Sequence, residues 1–311
     1  MAEGVKINKG HLLLRQIKRH KGMYLLIFPG FVLLIIFHYL PMYGILLAFK
    51  DYNFSEGILG SKWVGLKYFK MIFDDAYFIK SLRNTLIISG LKLFVGFPVP
   101  VIFALLLNEV TNMKFKRISQ TLSYLPYFVS WVILSGIFLN LFSPEGPINY
   151  VRGLFGQPPV LFFAVPKYFL TLLIVTYIWR DMGWGAIIYL ASLTNIDPHL
   201  YEAAYIDGAG RWKQTIHITI PSILPVVVIM LILNTGFILS AGFDQIFNLS
   251  NPMVMDVAEI IDTYVYRKGL VEMNFSYATA VGFFKSFVGF VLIFITNRIA
   301  VALGGRSSSL W

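Results

Sequence analysis

Apolar residues along this 311-residue chain gather into six runs, each long enough to cross a bilayer as a helix. A membrane-spanning helix needs about 20 predominantly apolar residues. The six runs cover residues 23–48, 81–107, 118–142, 168–194, 222–247 and 277–303. We therefore expect an all-α, polytopic membrane protein whose six transmembrane helices form one domain over residues 23–303.

The polar segments between the runs differ in their content of Lys and Arg, which is higher in one alternating set than in the other. The richer set consists of 1–22, 108–117, 195–221 and the residues after 297; the poorer set consists of 49–80, 143–167 and 248–276. Connections rich in Lys and Arg tend to remain cytoplasmic. The pattern predicts that both termini are inside the cell, with a basic segment at 1–22 and a tail at 304–311.

Composition supports a membrane protein and removes several other classes. Hydrophobic residues make up 57% of the chain and charged residues only 14%, whereas soluble domains average about 25% charged residues. The absence of cysteine excludes a disulfide scaffold and a thiolate metal site. The net charge of +10 arises partly from basic residues just before the first apolar run, a position that favours contact with anionic lipid over nucleic acid.

The connection 195–221 has features of a short helix, a glycine turn and a second helix. Asp197 followed by Pro198 is typical of a helix start. Gly208 permits a sharp turn, and Pro221 is expected to end the second helix and lead into the next span. The small alanine face of the first helix is suited to docking a cytosolic partner, although an amphipathic helix at the lipid interface fits the same residues.

The same connection resembles the coupling motif of ABC importer permeases. That motif is Glu-Ala-Ala, three residues, Gly, nine residues, Ile, one residue and Leu-Pro. The spacing here is complete, with Ile220 in place of Leu, and the matching residues are Glu202, Ala203, Ala204, Gly208, Ile218 and Pro221. Asp207, before the glycine, resembles the carbohydrate-uptake branch. The basic start and residues 40–44 and 84–86 resemble permeases of the LplB/YteP type, which are associated with oligosaccharides from complex polysaccharides, some of them acidic.

This resemblance implies a type I ABC importer permease fold and a transport subunit that is not itself an enzyme. It further implies two separate ATPase subunits that bind ATP and Mg, a second, homologous permease subunit in a heterodimer, and an extracytoplasmic solute-binding protein that delivers the oligosaccharide. The location would be the bacterial cell membrane. The sequence contains no G-x-x-x-x-G-K-[ST] phosphate-binding loop, so we expect no cofactor on this chain.

Ionisable residues at membrane depth are costly and point to functional sites. The candidates within the apolar runs are Lys92, Arg180, Asp181, Asp244 and Lys285. The resemblance places a sugar cavity between the spans that flank the coupling segment, which adds Tyr177, Trp184, Asn234 and Phe237. One hypothesis is that an acidic oligosaccharide faces Arg180, together with Lys285 or Lys92, because Arg captures carboxylates in a bidentate manner. The alternative is that these charges only pair between helices.

Two other functions fit parts of the pattern. A stand-alone ion-coupled transporter would usually have more spans and an internal repeat. An intramembrane enzyme could use Asp181 and Asp244 as paired carboxylates, but it would need both side chains on facing walls of one cavity. Neither alternative explains the coupling motif.

Overall fold

The computed structural model describes residues 19–304 of the chain. Within that range, four continuous helices are long and apolar enough to cross a membrane. They are α1 (Lys21–Phe49), α4 (Ala76–Glu109), α10 (Arg211–Gly236) and α14 (Phe275–Gly304). The predicted basic segment 1–22 lies outside the described residues except for its last four positions, and the predicted tail 304–311 lies outside them except for Gly304.

Two further crossings complete the six that the apolar runs predict. Helix α8 (Pro166–Leu193) has 28 residues, and its hydropathy is reduced by Arg180 and Asp181 near its middle. Helices α5 (Met113–Phe128) and α6 (Trp131–Leu141) form a pair bent by 102° at a short break. The third run, expected as one helix over 118–142, is therefore a broken span.

Shorter elements connect these crossings, and all of them are brief. They are β1 (Lys50–Asp51), α2 (Gly57–Gly60), β2 (Lys62–Trp63), α3 (Lys67–Asp74), α7 (Pro147–Leu154), α9 (Pro198–Ile206), α11 (Phe243–Leu249), α12 (Met255–Ala258) and α13 (Ile261–Tyr266). The two strands pair antiparallel, with Lys50 opposite Trp63. Helix α7 is the single short helix expected within the connection 143–167.

Three of the prolines inside the spans, Pro41, Pro98 and Pro221, are accommodated by local π turns. Three π turns, at Ile35–Tyr39, Lys92–Gly96 and Thr215–Thr219, each precede a proline by two residues. Proline lacks an N–H and its ring collides with the carbonyl four residues earlier, which here is the central residue of each turn. The wider turn lets the helix continue. The expectation that Pro221 ends a helix is therefore wrong. Helix α10 begins at Arg211 and continues through Pro221 to Gly236.

Helix α8 lies at the centre of the bundle, against α4, α5 and α10. Ala104, Ala186 and Ile223 pack together near the end that carries the 195–221 connection, while Phe169, Leu173 and Ile246 pack near the opposite end. By contrast, residues 21–43 of α1 are exposed except for the half-buried Val32, and α1 packs against α14 only through its last turns, where Ala48 is buried. The apolar surface of α1 is thus available to lipid or to another subunit.

Candidate functional site

The 195–221 connection, called the coupling loop below, folds around a helix that begins as its sequence predicts. Asp197 accepts a hydrogen bond from the backbone N–H of His199 at 2.9 Å, and Pro198 occupies the first helical position of α9. The chain then turns at Gly208, whose φ of +73° is a left-handed conformation that glycine adopts without strain. Helix α10 starts three residues later, at Arg211.

The coupling loop presents an exposed surface that is unusually apolar. No residue of α9 is buried, and Glu202, Ala203 and Asp207 are all exposed. Three large side chains beside them are exposed as well: Tyr205 at 77%, Ile206 at 83% and Trp212 at 76%. An exposed apolar patch of this kind, with charged residues at its edge, is typical of a protein–protein contact.

The two halves of the coupling motif come together across the glycine turn. The hydroxyl of Tyr201, next to Glu202, lies 2.9 Å from Oγ1 of Thr219, next to the half-buried Ile218. Pro221 lies on the exposed side of α10, two residues further on. The structure therefore positions the motif as one folded unit, while the roles of its residues in coupling stay predictions.

A cavity of about 320 Å³ lies between α4, α8 and α10, within the size range of small-molecule sites. Six of the eight residues predicted for the substrate pathway line it, namely Lys92, Tyr177, Asp181, Trp184, Asn234 and Phe237. Arg180 and Lys285 are not among the lining residues. The wall thus combines aromatic faces, which stack on sugar rings, with amide and charged groups that can bond hydroxyls.

Arg180 instead binds the break in the third span. Its Nη2 donates to the carbonyl of Tyr127 at 3.0 Å and its Nε to that of Val129 at 3.4 Å. Its guanidinium also lies over the ring of Tyr127 at 4.9 Å and that of Trp131 at 5.1 Å. Carbonyls released by a helix break need partners in the absence of water, and Arg180 supplies them.

The ring of Tyr127 forms part of the cavity wall. It stacks on the indole of Trp184, with centroids 4.6 Å apart and planes within 5°. Both rings line the cavity. Arg180, although outside the cavity, therefore fixes the aromatic pair that faces it.

A second irregular segment follows the end of α10, and Lys92 binds it. Helix α10 ends at Gly236 and α11 begins at Phe243. The ammonium of Lys92 donates to the carbonyl of Ala241 at 2.7 Å and to Oε1 of Gln245 at 2.6 Å. Gln245 in turn donates to the carbonyl of Leu173 at 2.7 Å. The break in the third span and the irregular segment after α10 are thus each bound by a cation from a neighbouring span.

The carboxylates do not form the pair that an intramembrane enzyme would need. Asp181 lines the cavity and lies 3.5 Å from Arg180, and its Oδ2 has no hydrogen-bond partner within the described residues. Asp244 is exposed on α11 and is not among the residues that line the cavity. Between residues 19 and 304, no three His, Asp or Glu side chains are placed to share a metal ion.

Lys285 lies in a different part of the bundle and pairs with another charge. Its ammonium bonds to Oδ1 of Asp262, which joins α14 to α13. Of the three cations proposed to face an acidic cargo, only Lys92 has a place in the cavity wall.

Sequence reasoning missed two residues that shape this site, Tyr127 and Gln245. Pro126, inside an apolar run, was the available signal for Tyr127, because a proline there marks a break. Gln245 carried no such signal, since its importance arises from contacts with Lys92 and with Leu173, which are far away in the chain.

Comparison with known proteins gives the same picture. Residues 96–308 match the family model described as the binding-protein-dependent transport system inner membrane component. The chain is 46% identical over 300 residues to the polygalacturonan/rhamnogalacturonan transport system permease protein YteP of Bacillus subtilis (strain 168), covering 96% of this chain and 94% of that protein. It is 44% identical over 294 residues to protein LplB of the same strain, covering 94% and 92%.

Solved structures agree in fold. One chain from a bacterial ABC transporter involved in the import of the acidic polysaccharide alginate superimposes with a TM-score of 0.87 at 36% identity, covering 94% of this chain and 99% of that one. A second structure of an alginate transporter, in complex with an alginate pentasaccharide-bound periplasmic protein, gives 0.86. This chain therefore belongs to the inner membrane components of binding-protein-dependent transport systems, which are membrane-embedded transport subunits of ABC importers and not enzymes.

Proposed function

We propose that this chain is the membrane-spanning subunit of an ATP-driven importer of acidic oligosaccharides. One observation carries the proposal: a single helix, α10, runs from the exposed coupling loop to the cavity wall, where Met230 and Asn234 contribute side chains. A partner that binds the loop can thereby act on the cavity. ATP and Mg belong to two partner ATPase subunits, each of which contacts one coupling helix.

The other partners follow from the same arrangement. The apolar face of α1, left uncovered by this chain, suits a second, homologous permease in a heterodimer. An extracytoplasmic binding protein would deliver the cargo, as the solved alginate complex includes such a protein. A coupling loop in the cytosol and six crossings give both termini a cytoplasmic position.

The charge of the cavity favours an acidic cargo. Asp181 is neutralised by Arg180, 3.5 Å away. Lys92, whose ammonium lies over the ring of Tyr177 at 4.6 Å, is the one Lys or Arg among the residues that line the cavity. Relatives named for polygalacturonan/rhamnogalacturonan transport and for alginate import handle uronate polymers, and a uronate carboxylate is a suitable partner for an ammonium.

Lys92→Gln tests the cargo, because the amide retains N–H donors near Ala241 but removes the charge. Uptake of a uronate-bearing oligosaccharide should fall about tenfold relative to a neutral one of equal length, as expected for the loss of about 1.4 kcal/mol of binding. Lys80→Gln is the matched control, since Lys80 pairs with Asp256 outside the cavity. An unchanged preference in Lys92→Gln would refute an acidic cargo.

Cysteine crosslinking tests the coupling loop directly, because the natural chain has no cysteine. A single cysteine at Ala203 should crosslink to a copurifying ATPase subunit. A single cysteine at Phe155, which is exposed beyond α7 near the opposite end of α8, should not. Failure of the Ala203 variant to reach any ATPase would remove the basis of the proposal.

A further inference from the structure

The coupling helix α9 touches the rest of the protein through few atoms. Its half-buried residues are Tyr201 and Ala204, one turn apart on the same face. The hydroxyl of Tyr201 bonds to Oγ1 of Thr219 at 2.9 Å, across 18 positions of the chain. Within residues 19–304, no other side-chain hydrogen bond joins α9 to α10.

The burial of Thr219 limits the partners that its hydroxyl can reach. It is only 2% exposed and is the last residue of the π turn Thr215–Thr219. Its hydroxyl also lies 3.4 Å from the carbonyl of Gln214. A buried hydroxyl needs partners for its polar atoms. With Thr219 donating to the carbonyl of Gln214, its oxygen accepts from the hydroxyl of Tyr201, and both hydroxyl groups are paired.

From Thr219, one uninterrupted helix reaches the cavity. Asn234 lies in the cavity wall, fifteen residues and thus about 22 Å further along α10. Helix α10 ends at Gly236, where it crosses α14 so closely that an added Cβ would collide with the side chain of Ile293. If α10 tilts about that crossing when its Thr219 end is displaced, the wall residue Met230, six residues before Gly236, moves further than Asn234, which lies two residues before it.

We propose that Tyr201 and Thr219 are positioning residues that join the coupling helix to α10, so that displacement of α9 by an ATPase moves the cavity wall. The inference rests on the proposed function, because it assumes an ATPase bound to the coupling loop. Neither residue belongs to the Glu-Ala-Ala motif, and Tyr201 presents its hydroxyl to the bundle and not to the partner.

The test uses the complete transporter, purified with its partner subunits and reconstituted in liposomes with the binding protein. The measured quantity is cargo taken up per ATP hydrolysed. Tyr201→Phe loses the bond to Thr219, and Thr219→Val loses that bond and the longer one to Gln214. Each should lower the ratio about three- to tenfold, the size expected for loss of a hydrogen bond, while basal ATP hydrolysis stays within about twofold of native. Thr219→Ser, which keeps the hydroxyl, should restore the ratio.

Two comparisons distinguish loss of the Tyr201–Thr219 hydrogen bond from general damage to the fold. The double variant should have the same ratio as the lower single variant, because both changes remove one shared bond. Thr215→Val is the matched control: it removes a hydroxyl from the same π turn that bonds only to the carbonyl of Arg211, and it should leave the ratio native.

Several results would overturn the inference. A native ratio in both single variants would do so, and so would a double variant that falls by the product of the two single effects. A lowered ratio of cargo to ATP in Thr219→Ser would mean that the packing of the Thr219 methyl group matters, and not its hydroxyl. If the native complex shows no ATP-dependent uptake at all, then the proposed function is refuted. The inference about Tyr201 and Thr219, which rests on that function, is refuted with it.

Discussion

The position of Arg180 leads to a prediction that opposes the simplest interpretation of a membrane arginine. If Arg180 binds cargo, its loss should affect acidic sugars alone. The structure places it on the backbone of the broken third span, where it holds the carbonyls of Tyr127 and Val129. We therefore expect Arg180→Gln to lower uptake of neutral and uronate-bearing oligosaccharides by the same factor.

The magnitude follows from the bonds that are lost. A hydrogen bond to a charged group contributes about 1.5–3 kcal/mol, and hydrogen bonds between membrane helices average nearer 0.6 kcal/mol. Two bonds therefore give about 1–6 kcal/mol. The contacts with the rings of Tyr127 and Trp131 add about 0.5–1 kcal/mol each. A loss near 3 kcal/mol lowers the equilibrium population of the native conformation of the third-span break, relative to other conformations, by about 100-fold.

The assay compares uptake of the two cargo classes, normalised to the amount of protein in the membrane. Arg180→Lys is informative because it keeps the charge but loses the planar fork that reaches two carbonyls, so it should behave like Arg180→Gln. Arg83→Gln, a change at an exposed arginine on α4, should leave uptake native. Selective loss of uronate uptake in Arg180→Gln, with recovery in Arg180→Lys, would refute the reasoning.

Three further predictions follow from other contacts. Gly183→Ala places a Cβ against the backbone carbonyl of Ser123 and should destabilise the purified complex by about 1–3 kcal/mol, whereas Gly90→Ala, with open space around it, should not; equal thermal stability in both would contradict the close contact of α5 with α8. Gln245→Leu removes bonds to Lys92, Leu173 and Thr176 and should lower the unfolding temperature of the complex, while Asn248→Leu on the same helix, which loses one local bond, should change it much less. Burial alone would raise the pKa of the Asp75 carboxyl, but hydrogen bonds from Tyr264, the Tyr77 backbone N–H and Tyr277 hold it below its ordinary value. A lowered folded-state pKa means that this carboxylate stabilises the fold above the unfolded pKa of about 4 and that the stabilisation is lost as the pH falls through the folded pKa; Asp75→Asn should therefore be less heat-stable at pH 7 and lose less stability between pH 7 and pH 3.

The sequence alone determined the class of this protein and the position of its coupling loop. Apolar runs of about 20 residues are long enough to cross a bilayer, and as helices they satisfy their own backbone groups where no water is present. Asp197, Pro198 and Gly208 define the start and turn of the loop through local backbone preferences, and the structure agrees at each of them. Such features depend on neighbours within a few positions, so they can be inferred without a fold.

Tertiary structure decided what the charged residues do. Arg180, Lys92 and Lys285 look alike along the chain, since each is a cation within an apolar run. One holds the broken third span, one holds the fifth span and faces the cavity, and one pairs with Asp262. The partners that these cations reach on other helices lie 23 to 153 positions away. In a medium without water each charge must find the nearest free carbonyl or carboxylate, and which group is nearest is set by how the helices break and pack, not by the order of the residues.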